Sequence, residues 1–242
     1  MHCEIVPGKV FARIYNRNFT KSTHSYLYKD NNFGEVASNH LLVSNDLGAN
    51  RLCVLNQVHM GKVLVVDHPW NIGNEPSADG MVSTNANIAL GILTADCVPV
   101  LITSMDGNYI AAVHCGWRSL ISGIIQNCSN IISQKTSSKL VAVIGPSISQ
   151  ESYEVSPDFY KNFLKFDSEL NGCFIESASG KFLCDLAKIA TILLSRENIT
   201  VIKHFDENTF AMPEKYPSHR YNLVNGLGPY RGSILSTIIK RN

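Results

Sequence analysis

Three short segments carry side chains that can bind a metal ion: Asn56-Gln57-Val58-His59, Thr94-Ala95-Asp96-Cys97 and Val113-His114-Cys115-Gly116-Trp117-Arg118. Each sets a metal-grade side chain beside a predicted strand end. His59, Cys97 and His114 supply two imidazoles and one thiol, a set that suits a borderline-soft ion such as zinc. Three protein ligands leave a fourth position open, as catalytic zinc sites require. The constellation points to an enzyme.

Singly, each residue has an ordinary reading. A histidine at a strand end (His59) is more often hydrogen-bonded to backbone than a ligand. A lone cysteine in an apolar run (Cys97) is usually a small buried hydrophobe. His114 is followed by Gly116, which allows close backbone approach, and then by Trp117 and Arg118 opening a helix. Their coincidence carries the argument. The strands Ile88–Leu93, Val98–Thr103 and Tyr109–Val113 are joined by short connections and are expected to neighbour one another, so that equivalent ends converge.

Two carboxylates accompany them. Asp96 sits beside Cys97, and Asp79 lies in the turn Ser77-Ala78-Asp79-Gly80. Either could orient a ligand histidine or act as a general base; the alternative for Asp79 is a turn residue accepting backbone hydrogen bonds. Arg118 at a helix start could hold an anion together with the helix amides; its alternative is a surface ion pair.

The elements that must position these groups form a mixed pattern. Strand-like runs occupy Val10–Tyr15, Arg51–Gln57, Lys62–Val66, Ile88–Leu93, Val98–Thr103 and Tyr109–His114, rich in Val, Ile and Leu and punctuated by Asp, Asn and Gly. Leu120, Ile121, Ile124, Ile125, Cys128, Ile131 and Ile132 recur at helical spacing, with Ser119 the expected N-cap. Lys139–Ile144 reads as a buried strand. Ser156-Pro157-Asp158 predicts a helix to about residue 166, and a further helix over 185–196 leads into the strand Ile199–His204. The late run Gly226-Leu227-Gly228-Pro229-Tyr230-Arg231-Gly232 reads as a turn. With no linker, repeat or low-complexity tract, the expectation is one α+β domain over 1–242, with sheet at its centre.

Composition narrows the setting. The 242 residues can bury a sizeable core, and a net charge of +1 gives no global field toward nucleic acid or an anionic membrane. Seven cysteines, odd in number and without a Cys-x-x-Cys pair, argue against a disulfide framework. The start, Met1 to Pro7, has neither a basic region nor a long apolar core, and no apolar run approaches membrane-spanning length. A reduced, cytoplasmic location is expected. Phosphate-binding G-x-x-x-x-G-K-[ST], esterase-type G-x-S-x-G and metalloprotease H-E-x-x-H motifs are absent.

In this order, and with Ala78-Asp79-Gly80-Met81-Val82 between the first two, the three segments resemble the YfiH-type family, also called laccase-domain or multicopper polyphenol oxidase proteins, purine nucleoside phosphorylases and peptidoglycan editing factors. The family's Q-V-H, A-D-G-L-V-T, L-T-A-D-C-x-P-V-L and A-A-V-H-A-G-W-R-G patterns are met at 57–59, 78–84, 93–101 and 111–119. Ile144-Gly145-Pro146-Ser147-Ile148 and Tyr153-Glu154-Val155 match the next block. The likeness is fainter at Asp185-Leu186 and Pro217-Ser218-His219-Arg220. Met60, Cys115 and Glu151-Ser152 depart from the usual residues, and the family's N-terminal loop is reduced to Ala12-Arg13-Ile14-Tyr15-Asn16.

The resemblance implies zinc on His59, Cys97 and His114, in layered β-sheets flanked by helices; Arg118 and Asp79, read from the residues themselves, are the further catalytic candidates. It also implies phosphorolysis of adenosine, inosine, guanosine and methylthioadenosine, and hydrolytic deamination of adenosine. The partners it implies are nucleosides and phosphate, not nucleic acid or membrane. Three rivals are weighed against this. A copper-dependent, laccase-like oxidase needs paired His-x-His segments, and none exists among the eight histidines, although copper generally outcompetes zinc at a site of two His and one Cys. A second rival is a peptidoglycan-precursor editing factor, or a hydrolase with Cys97 as nucleophile. The third is a ligand-binding remnant without turnover.

Overall fold

The computed structural model describes residues 1–17, 19, 26–27, 32–228 and 232–242. It opens with β1 (His2–Val6), β2 (Val10–Tyr15), α1 (Phe33–Leu47), β3 (Arg51–Cys53), β4 (Val63–Val65) and β5 (Gly80–Ser83). The middle holds β6 (Ile88–Thr94), β7 (Val98–Ser104), β8 (Ile110–Cys115), α2 (Trp117–Ile121), α3 (Ile124–Ser133) and β9 (Leu140–Ile144). Then come β10 (Glu154–Val155), α4 (Pro157–Phe166), β11 (Phe174–Glu176), β12 (Phe182–Cys184), α5 (Leu186–Arg196), β13 (Ile199–His204), α6 (His219–Val224) and β14 (Ile234–Lys240).

Two large sheets stack. One is ordered β13-β9-β7-β8-β5-β4, the other β1-β2-β14-β6-β3, and β10-β12-β11 forms a small third sheet. The period-2 alternation of β7 shows why the layers hold. Val98, Val100 and Ile102 pack with α3 and α5 residues such as Ile125, Cys128, Ile189 and Leu194. Leu101 points the other way, into a core shared with Leu90, Ile92 and Ile238 of the second sheet. Val43 and Leu47 of α1 cover the far face over Leu52, Leu235 and Ile239. Each such fully buried aliphatic side chain contributes about 1.5–3 kcal/mol relative to exposure. The expected mixed α and β fold, layered sheets flanked by helices, is therefore present. Among the described residues no helix is long and apolar enough to cross a membrane.

Several expectations are corrected in detail. β6 does not neighbour β7 in one sheet; Ala95-Asp96-Cys97 carries the chain from one sheet to the other, because β6 pairs instead with β3 and β14. The single helix expected after His114 is two. Gly123, with φ of 73°, breaks it, and Ser119 is buried inside α2 while Gly116 takes the N-cap place. The run Arg51–Gln57 is strand only as far as Cys53. Ser156 caps α4 as expected, accepting from the Phe159 N–H, while Asp185, read from sequence as the first residue of the next helix, caps α5 and accepts from the Lys188 N–H. In the late glycine run Gly226 and Gly228 take positive φ, consistent with a turn; Pro229, Tyr230 and Arg231 lie outside the described residues.

Candidate metal centre

Cys97 and His114 meet because β7 and β8 are antiparallel. The start of one lies beside the end of the other, with Val98 opposite Cys115 and Pro99 opposite His114. His59 arrives from a different direction, on the loop between β3 and β4, with a left-handed φ of 58°. A β-carbon pays a steric penalty in that conformation, so something must hold the loop.

Asp79 holds it. Its carboxylate accepts the backbone N–H groups of Val58, His59 and Met60 at 3.2, 2.9 and 2.8 Å. The same carboxylate lies 2.7 Å from His114 Nδ1. The one carboxylate thus accepts backbone hydrogen bonds and contacts a histidine at once. It can do so because the Asp79 carbonyl accepts the His114 N–H at 2.8 Å, and Gly80 sits opposite Val113 across β5 and β8. Gln57 anchors the other end of the loop. Its amide donates to the Leu93 carbonyl at 2.7 Å and accepts the Leu93 N–H at 2.8 Å, which docks the loop on β6.

The result is a compact donor set. One ligand atom from each of His59, Cys97 and His114 lies within 4.8 Å of the others. The two imidazoles meet edge to face at 4.7 Å. His59 is exposed, Cys97 half-buried and His114 buried. Since His114 Nδ1 faces Asp79, Nε2 is the nitrogen free to ligate. Burial works against charging His114, but the Cys97 sulfur and the Asp79 carboxylate outweigh it and raise the pKa to about 9. Burial also opposes ionisation of Asp79, yet the hydrogen bonds from His114 and the Met60 and His59 amides keep it below the usual carboxylate range. His59 is shifted down by burial and by His114 beside it.

Gly116 closes the wall. A β-carbon there would stand 2.9 Å from His59 Nδ1 and 3.3 Å from both Cys97 Sγ and His114 Cε1. The donors crowd this backbone so closely that only glycine leaves them room. Two imidazoles and a thiol converging on an open face, with a carboxylate behind one imidazole, fit a metal ion of zinc or copper type.

Asp96 does not join the centre. Its carboxylate accepts the Thr209 hydroxyl and the Arg220 N–H, both at 2.7 Å, so it braces distant chain segments rather than a ligand histidine. Arg118 is exposed, without a carboxylate partner among the described residues, and its guanidinium lies 4.3 Å over the Trp117 ring. With only five residues, α2 is too short to add much of a helix dipole. Sequence reasoning missed Thr209 and the aromatic set Trp117, Phe159 and Tyr153, with centroids 5.0 and 5.8 Å apart, because nothing local marks residues brought together over such separations.

Comparison with known proteins agrees with this architecture. A family model described as multi-copper polyphenol oxidoreductase laccase matches residues 16–239. A purine nucleoside phosphorylase of Rickettsia conorii is 36% identical over 98% of this chain and 99% of its own. One from Haemophilus influenzae is 31% identical over 91% and 93%. The crystal structure of a Neisseria meningitidis protein superposes with a TM-score of 0.81 at 27% identity, covering 98% of this chain and 96% of that one. The Bacillus licheniformis protein YfiH shares the fold, with a TM-score of 0.82 at 19% identity over 96% and 93%. The chain belongs to the YfiH-type, laccase-domain family.

Proposed function

We propose that the chain is a zinc-dependent purine nucleoside enzyme of the cytoplasm, one domain over 1–242. It cleaves adenosine, inosine, guanosine and methylthioadenosine with phosphate and deaminates adenosine. The observation that carries this reading is the open set of His59, Cys97 and His114 donors within 4.8 Å, with Asp79 fixed behind His114. Relatives of nearly equal length bear the name purine nucleoside phosphorylase.

His59, Cys97 and His114 would hold a zinc ion, which would supply Lewis acidity at the open face. Asp79 keeps the proton on His114 Nδ1 and leaves Nε2 free for ligation. Arg118, its guanidinium 4.3 Å over the Trp117 ring, offers a charged fork to phosphate. In phosphorolysis a phosphate oxygen bonds to C1′ while the C1′–N9 bond breaks, and the proton lost by phosphate balances the one gained by the base. In deamination water adds at C6 and ammonia leaves.

The family description favours a second reading, a laccase-like copper oxidase. Among the described residues the metal-capable group is one set of three donors, too few for a multicopper site, so copper stands as an alternative occupant. The test is a panel of adenosine, inosine and methylthioadenosine, with and without phosphate, on wild type and Cys97→Ala, with zinc measured on the same samples. Activity that tracks about one zinc per chain supports the proposal. Full activity in metal-free protein would transfer the role to the thiol. Release of no base and no ammonia from any nucleoside would sink it.

A further inference from the structure

Arg220 lies outside the donor set, yet the fold ties it to Cys97. Asp96, the residue before Cys97, is buried, takes a φ of 92°, and accepts the Arg220 N–H at 2.7 Å. The Thr209 hydroxyl on the other carboxylate oxygen locks that arrangement. The side chain is fixed as well. Its guanidinium lies 5.0 Å over the Tyr153 ring, and Nη1 donates to the Glu154 carbonyl at 2.8 Å.

Arg118 repeats the stacking, its guanidinium 4.3 Å over the Trp117 ring, two residues beyond the Gly116 backbone that the donors crowd. Phe159 joins the two platforms, 5.0 Å from Trp117 and 5.8 Å from Tyr153. Among the described residues neither guanidinium has a carboxylate at ion-pair distance. Arg220 is half-buried, and among the described residues Nη1 is its one guanidinium nitrogen with a protein acceptor. An immobilised, uncompensated guanidinium is built for an oxyanion: its fork matches two phosphate oxygens, and stacking on an aromatic ring has already limited its rotamers.

We propose that Arg220, whose backbone is tied to the residue beside Cys97, grips inorganic phosphate. This assignment rests on the phosphorolysis reading above and gives Arg220 the selection of the attacking anion. The same chemistry would suit the 5′-phosphate of a nucleotide, so the test separates the two sources.

Binding of inorganic phosphate and of adenosine 5′-monophosphate is titrated calorimetrically on wild type, Arg220→Gln and Arg220→Lys, with zinc content and near-ultraviolet dichroism as controls of the folded site. All variants keep the backbone N–H that Asp96 holds. Loss of a charge-assisted contact weakens phosphate binding about ten- to a hundred-fold in the Gln variant, with partial recovery in Lys. In phosphate-dependent base release the KM for phosphate rises by a like factor, well beyond any change in the KM for nucleoside. A phosphate affinity within two-fold of wild type in folded Arg220→Gln overturns the assignment, as does wild type that binds the nucleotide but not phosphate. Wild type that binds phosphate through Arg220 yet releases no base refutes the phosphorolysis reading and leaves the anion site standing.

Discussion

The Asp79 carboxylate and His114 Nδ1 lie 2.7 Å apart, and the oxygens of that carboxylate also hold the backbone on which His59 stands. One side chain thus sets the position of two of the three candidate metal donors, which come from different elements. In Asp79→Asn the amide group cannot accept all of these donors. We expect metal affinity to fall about 10–100-fold and stability by about 1–3 kcal/mol. Competition for zinc against a chromophoric chelator, beside urea unfolding, checks both; an unchanged zinc affinity would remove Asp79 from the centre.

Gly116→Ala separates ligand geometry from stability. The backbone at φ −71° and ψ 161° accepts alanine, but the new methyl meets His59 Nδ1 at 2.9 Å. His59 stands on an exposed loop and can swing away. Zinc content is expected to drop well below that of wild type, while the thermal midpoint of metal-free protein moves by roughly 2–4 °C, the equivalent of about 1 kcal/mol. Full zinc occupancy in the variant contradicts this.

Gln57→Leu unfastens the His59 loop from β6. The Leu93 N–H and carbonyl both lose their side-chain partner, at a cost of about 1–3 kcal/mol. Hydrogen exchange at the Leu93 amide should quicken relative to the amide of Leu90 on the same strand. Equal protection in wild type and variant would show the contact to be dispensable.

His40 makes stability depend on pH away from the centre. Its Nε2 donates to the Tyr26 carbonyl at 2.8 Å inside the α1 packing. Burial lowers its pKa below 6.5, with the Tyr26 hydrogen bond and Glu75 opposing and Arg51 assisting. The unfolded chain therefore takes up the proton first as pH falls. Stability from this residue is complete above 6.5 and is lost as pH drops from there toward the folded value, with a slope of at most about 1.4 kcal/mol per pH unit. Urea unfolding of metal-free protein at pH 7.5, 6.5 and 5.5 should show a shallower decline for His40→Gln. Parallel declines would assign the effect to other groups.

The parts of the fold legible from sequence are those with local signatures. The β7 and β8 strands carry unbroken apolar runs over Val98–Ile102 and Ile110–Val113, and both capped helices carry a Ser or Asp where an N-cap belongs. Cys97 and His114 are readable for that reason, since each adjoins one of those runs. α1 was missed because Asn39, His40, Ser44, Asn45 and Asp46 are poor helix formers, and tertiary packing of Val36, Val43 and Leu47 stabilises it instead. The placement of β6 beside β7 failed because adjacency in sequence does not say which sheet a strand joins. Ile234–Lys240 gives no local hint that it separates β2 from β6. Asp79 was visible as a candidate, but not the left-handed backbone at His59 that it restrains.

That inserted strand has a consequence for the order in which the protein is made. β14 bonds β2 along one edge and β6 along the other, yet it is translated after both. On the ribosome the five-stranded sheet stays split until residues 234–240 have emerged, and β6, the strand that Gln57 grips, keeps a bare edge through that interval. The nascent chain holds all three metal donors long before the layer beneath them is joined, so a metal captured early would sit on an unfinished floor. Slow synthesis late in the message would lengthen exposure of that edge and favour aggregation over closure.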